Sequence, residues 1–247
     1  MDRELSDTGF MGLLQWADVL KAIVSSHCLS NYKDFFNLYH LVRWWCTTTH
    51  TFFLSYGEII VTLEDVANQL LLPILGDVNP GTWELSPKEK AVEAALKKRM
   101  NGNAKLSYWV GSSSKISVAA HCAAFITFWL CKFIFGSHPH YAVKSLYFRS
   151  AIKIFAGVSL PLAPMFLGHL YVQLDILRSD EDQVGSCHIV TSSVHNTILQ
   201  HLLYKCCARH LVKCRPVHFA KEKYQLCLKV IIDFCGRFEF DFPLAFH

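Results

Sequence analysis

The stretch Leu41 to Pro73, LVRWWCTTTHTFFLSYGEIIVTLEDVANQLLLP, carries two local signals back to back. From Thr51 to Leu54 and again from Glu58 to Val61 the residues are aromatic or β-branched, and Ser55-Tyr56-Gly57 between them offers a glycine where a tight turn needs positive φ. That pattern predicts a β-hairpin. Thr62 then stands where a helix N-cap belongs, with Asp65 three residues on as the acidic half of a capping box. Val66, Leu70 and Leu71 give the short helix an apolar face, and Pro73 limits its extent. A lone hairpin is marginal in water, so Trp44, Trp45, Phe52 and this helix are expected to form one buried unit.

Outward from that centre the periodicity is helical. Leu13, Trp16, Val19, Leu20 and Ile23 recur at helix spacing, and a second helix is expected from about Tyr32 to Trp45, burying Phe35, Phe36, Tyr39 and Val42. Past Gly76, Pro80 and Gly81, a helix from roughly Pro87 to Met100 has Ser86 as its cap, Pro87 at its first position and Asn101-Gly102-Asn103 as its stop. Further helices are expected at about Ser117 to Phe135, Ala142 to Phe155, Pro164 to Leu177 and Ser193 to Lys213, while Tyr224 to Phe234 reads as helix or strand. The fold class is therefore mainly α with a small β-hairpin. A length of 247 residues with 52% hydrophobic content suits a single globular helical domain over 1–247.

Composition narrows the setting. Ten cysteines at irregular spacing behind a polar N-terminus fit reduced thiols in a cytosolic or nuclear compartment. The apolar segment 116–135 would attract a hydropathy window, but its uncharged run stops before Lys132 and contains Ser117, His121 and Thr127. Such a run is shorter than the roughly 20 residues a spanning helix needs, so a buried core helix is the reading and a membrane span is disfavoured.

The side chains that could carry chemistry fall into weak patterns. Cys207, His210, Cys214 and His218 have a C-x2-H-x3-C-x3-H spacing, yet one straight helix cannot wrap four ligands around zinc, and His138 with His140 lacks a third partner. No metal site is assigned. Glu64 and Asp65 are adjacent in a first helical turn, where they complement the helix dipole, so with Glu58 they do not make a two-metal nuclease centre. Nucleophile-elbow, phosphate-loop and cysteine-protease motifs are missing from the sequence. A net charge of +4 announces no nucleic-acid binder, although Lys205, Arg209, Lys213, Arg215, Lys221 and Lys223 offer nucleic-acid contacts, against which a solvated helix face is the plainer reading. Tyr56 and Glu58, at the hairpin tip, are the expected interaction surface, because loop tips on a rigid scaffold favour binding.

One resemblance adds to these readings. Trp44-Trp45, Thr49-His50-Thr51-Phe52, Tyr56-Gly57-Glu58, Thr62-Leu63-Glu64-Asp65-Val66 and Leu72-Pro73 resemble the signature of the plant mobile domain. Phe125-Ile126-Thr127-Phe128-Trp129-Leu130, Leu167-Gly168-His169-Leu170-Tyr171 and Leu174-Asp175 resemble that family's second block. The resemblance thins in the C-terminal third, where Tyr204-Lys205-Cys206 replaces an expected Trp with acidic residues, and Phe53 stands where a histidine is common. Family members tend to run longer, so a truncated copy, incomplete at its C-terminal end, is one expectation.

The resemblance implies a transposon-derived interaction module similar to the meristem-maintenance proteins. It implies a place in the nucleus, in transposon and gene silencing, with a partner of the plant serine/threonine phosphatase-like class. The family is often labelled aminotransferase-like, which would require a Schiff-base lysine, a phosphate cradle and an acid for the pyridine nitrogen of pyridoxal phosphate. None is visible as a motif, so neither enzyme activity nor a cofactor is expected. Direct nucleic-acid binding through the basic C-terminal segment is the alternative.

Overall fold

Three short strands and a set of helices follow from local chemistry that can be traced residue by residue. The computed structural model describes residues 8–26, 42–54, 57–78, 83–102, 104–106, 109, 117–136, 142–184 and 198–199. All of them lie in a unit that ends at Leu199. The expectation of one domain over 1–247 reaches past these residues, as do the helices expected at Ser193 to Lys213, apart from 198–199, and at Tyr224 to Phe234.

Helices α1 (Thr8–Trp16) and α2 (Leu20–Ser26) replace the single helix expected through Leu13 to Ile23. The break is at Asp18, whose φ of 55° is left-handed, a conformation that aspartate tolerates better than most residues. The break also turns Trp16 outward, leaving it 74% exposed, while Val19 and Ile23 are buried as expected. Strand β1 (Trp45–Cys46) was not foreseen, since Trp45 had been assigned to a helix end. It pairs antiparallel with β2 (Thr51–Leu54), which pairs antiparallel with β3 (Gly57–Ile59), giving a three-stranded sheet in sequence order. Gly57 has a φ of 137°, so the turn does use the conformation glycine favours.

Helix α3 (Leu63–Leu70) starts as the sequence predicts: the Asp65 amide donates to the Thr62 hydroxyl at 3.1 Å and the Thr62 amide donates to the Asp65 carboxylate at 3.0 Å. Val66 and Leu70 are buried, but Leu71 is not part of that face. It is the C-cap, left-handed and 43% exposed, and the turn it makes carries Leu72 into the interior instead. Helix α4 (Pro87–Gly102) opens on a second capping box, with the Ser86 amide donating to Glu89 at 2.7 Å and the Glu89 amide to the Ser86 hydroxyl at 3.3 Å.

The apolar segment forms α5 (Val118–Trp129), capped by Ser117, and ends in a π-helical turn, Leu130–Ile134. It is the core helix: Trp129 and Ile126 are fully enclosed, and the Trp129 indole donates to the Ser26 hydroxyl at 3.0 Å. Among the described residues no helix is long and apolar enough to cross a membrane. A 3₁₀ turn, Ser145–Tyr147, leads into α6 (Phe148–Phe155), which packs on α1, α4 and α5. Helix thus begins later than the expected Ala142, which bridges Lys105 as an isolated strand pair. The Lys153 ammonium, held by both Glu89 oxygens at 2.9 and 3.0 Å, ties α6 to α4.

Helix α7 (Leu162–Val184) outruns the expected Pro164 to Leu177 at both ends, and it supports α3 and the sheet. The segment before it is locked to the segment after α3. The Ala163 amide donates to the Pro73 carbonyl, and Asp77 exchanges two bonds with Ser159, through its amide and its carboxylate. Gly76 sits so close that an added Cβ would lie 2.5 Å from Pro161 Cδ.

Candidate functional site

The sheet has two faces, and pleating decides which residue goes to which. In the register Trp45 opposes Phe52, and Phe52 opposes Ile59, so these three line one face. Trp45 and Phe52 are buried at 3% and 1% exposure, with ring centroids 4.8 Å apart. Phe53 opposes Glu58, and its amide donates to the Trp44 carbonyl at 2.8 Å, which places Trp44, Phe53 and Glu58 in a row across the other face. That row is exposed, Trp44 at 50% and Phe53 at 43%, with Glu58 also exposed. The expectation that both tryptophans are buried therefore holds for Trp45 and is corrected for Trp44. Adjacent strand residues point to opposite faces, so a strand through Trp45 can bury only one of the pair.

The buried face is fastened to α7 by a polar cluster. The Trp45 indole donates to Asp175 Oδ1 at 2.7 Å, and His50 Nε2 lies 3.2 Å from Asp175 Oδ2, which as a carboxylate oxygen is the acceptor. His50 holds a left-handed backbone, φ 52°, in the Thr47-Thr48-Thr49-His50 turn, and its amide donates to the Cys46 carbonyl at 2.8 Å. That strain, about 1–2 kcal/mol for a residue with a Cβ, is offset where the ring lands: it stacks on Tyr171 at 5.2 Å and 10°. Burial, and then the Asp65 charge, push the Tyr171 phenol up, so it stays a donor, to the Val61 carbonyl at 2.7 Å.

Beside this cluster is Cys46. Hydrogen bonds from the Thr49 hydroxyl and from the Thr49 and Thr48 amides bring its thiol down to about 7. Cys131, by contrast, is pushed up to about 11 by burial. Strand alternation puts the Cys46 side chain on the face opposite Trp45, with Thr51. Each Asp175 oxygen meets a side-chain partner, Trp45 or His50.

With this geometry in place, a family model, the plant mobile domain, matches residues 18–225. The chain belongs to the plant mobile domain family. Comparison with curated proteins and with solved structures found no match. In this plant mobile domain the two sequence blocks that carried the resemblance meet: Trp45, His50 and Phe52 come from the first, Tyr171 and Asp175 from the second.

Of the residues singled out in the sequence, Glu58 is exposed on the outer row, where its Oε2 accepts from the Thr51 hydroxyl at 3.4 Å. Tyr56 lies outside the described residues, as do Lys205, Arg209, Lys213, Arg215, Lys221 and Lys223. So do Cys207, His210, Cys214 and His218, and the pair His138 and His140. Among the described residues no group of three or more His, Cys, Asp or Glu side chains could hold a metal ion. Glu64 and Asp65 sit in the first turn of α3, with Asp65 committed to the cap. Sequence reasoning missed Trp44 and Phe53 as surface residues and Asp175 as an anchor. The signal for the first pair was present in the adjacency of Trp44 and Trp45, once a strand is assumed there.

Proposed function

We propose that this plant mobile domain is a non-catalytic, transposon-derived interaction module that docks a protein partner on the outer face of its sheet. The observation that carries the reading is the exposed row of Trp44, Phe53 and Glu58 on strands whose other face is fixed by Trp45, Phe52 and Asp175. Exposed aromatics on a rigid support lose little entropy on binding, and tryptophan is enriched among residues that dominate interface energetics. No reaction is assigned, because the Asp175 oxygens hold Trp45 and His50 and strand alternation puts Cys46 on the opposite face of the sheet. The family resemblance supports a nuclear role in silencing and meristem maintenance, and a partner of the plant serine/threonine phosphatase-like class.

Affinity purification from plant nuclei over a salt series tests this. The partner should lose only a little binding as salt rises, since the aromatic contacts are not screened and Glu58 adds one charged contact, and Glu58→Lys should reduce its recovery without unfolding the protein. Steep loss of binding with salt, abolished by nuclease treatment, would replace the proposal with direct nucleic-acid binding through Lys205 to Lys223.

A further inference from the structure

The outer row has a chemical direction. Trp44, Phe53 and Glu58 follow one another across β1, β2 and β3, and two inter-strand steps span about 10 Å. Two exposed aromatic side chains therefore lead to a carboxylate. Among the described residues the Glu58 carboxylate meets the Thr51 hydroxyl, at a long 3.4 Å, and no cation.

We infer that the partner places an arginine side chain on this row, its guanidinium stacked on Phe53 beside Trp44 and its charge paired with Glu58. The inference rests on the docking face proposed above and names the chemistry of its occupant. A purely apolar partner would strip water from Glu58 and leave the carboxylate unpaired, which is costly. A phosphate or other anion would be repelled at the same place. A cation lying over aromatic rings gains from the ring quadrupole, and the carboxylate next to Phe53 then completes the site. Arginine suits the geometry better than lysine, because its planar group can stack on a ring while forking to both oxygens of a carboxylate. Cross-strand neighbours such as Phe53 and Glu58 have Cβ atoms about 5 Å apart, within reach of one guanidinium.

The test is an NMR titration of the ¹⁵N-labelled full chain with the peptide Gly-Arg-Gly-Arg-Gly and with the same peptide carrying citrulline, which is isosteric but uncharged. The arginine peptide should shift the Trp44 indole and the Phe53 and Glu58 amides together, with at least tenfold weaker binding of the citrulline peptide. Glu58→Gln should weaken arginine binding about tenfold while the Trp44 shift persists at higher peptide concentration. Equal binding of the two peptides, shifts located elsewhere, or no localised shift at millimolar peptide would overturn the inference. If Trp44→Ala still abolishes recovery of the nuclear partner while the arginine peptide gives no response, the docking face stands and the cation does not. Retention of the partner by Trp44→Ala removes the docking face itself.

Discussion

Replacing Asp175 with alanine removes the one group that joins the sheet to α7 through two donors. Trp45 is 3% exposed, and its indole N–H, now 2.7 Å from Asp175 Oδ1, would be left without its acceptor. An unsatisfied buried donor costs about 1–3 kcal/mol. The second bond, from His50 at 3.2 Å, joins side chains 41% and 35% exposed, so it is discounted for solvent screening. Loss of that bond adds about 0.5–1 kcal/mol. The expected total is about 1.5–4 kcal/mol, read as a lower urea midpoint at unchanged slope. Asp175→Asn keeps an acceptor for the indole and should cost only about 1 kcal/mol. In the Trp45→Phe background the alanine substitution should cost less, with a coupling of about 1–3 kcal/mol between the two sites. If Asp175→Ala unfolds within 0.5 kcal/mol or so of the wild type, below the range expected for a lost buried partner, the anchor is not structural and the account of the buried face is wrong.

Three further outcomes follow from particular contacts. Thr62→Ala, which removes the hydroxyl that accepts from the Asp65 amide, should lower stability by about 1 kcal/mol in urea unfolding. Gly76→Ala should cost about 1–3 kcal/mol by overpacking, because its Cβ would stand 2.6 Å from the Pro161 backbone nitrogen; wild-type stability would show that the Pro73–Asp77 segment can move away. Burial, partly opposed by the bond to the Gly136 carbonyl, holds His169 below its ordinary value. The unfolded chain then takes up that proton first, so the contribution of His169 is complete above about pH 6.5 and declines as the pH falls from there. His169→Gln should flatten this part of the stability profile, and an unchanged slope would refute it.

What could be read from sequence was what a few neighbouring residues determine. The capping box at Thr62, the cap at Ser86, the glycine turn at Gly57 and the buried character of α5 depend on contacts three or four residues apart, or on a continuous apolar run. Leu71 was misread because a C-cap in left-handed conformation reverses the side chain relative to helical spacing. Trp44 and Trp45 were read as one buried pair because a hairpin needs a packed face, whereas strand alternation buries only Trp45. The tie from Trp45 to Asp175 crosses 130 positions, and no local pattern specifies which carboxylate will face which indole. Family resemblance marked both blocks without saying that they meet. The interaction surface was legible only in part: Glu58 was selected from the hairpin, whereas Trp44 and Phe53 became surface candidates once the register put them beside it.

The claim at the centre of this account is that function resides on the outer face of the sheet and not in the polar cluster beneath it. The most direct measurement is partner recovery from plant nuclei by the double variant Trp44→Ser, Phe53→Ser, alongside its urea unfolding curve and a Trp16→Ser control. Trp16 is equally a surface tryptophan, 74% exposed, on α1. The account predicts that the double variant folds with near wild-type stability and loses the partner, while Trp16→Ser retains it. A folded double variant that recovers the partner as well as the wild type would contradict it.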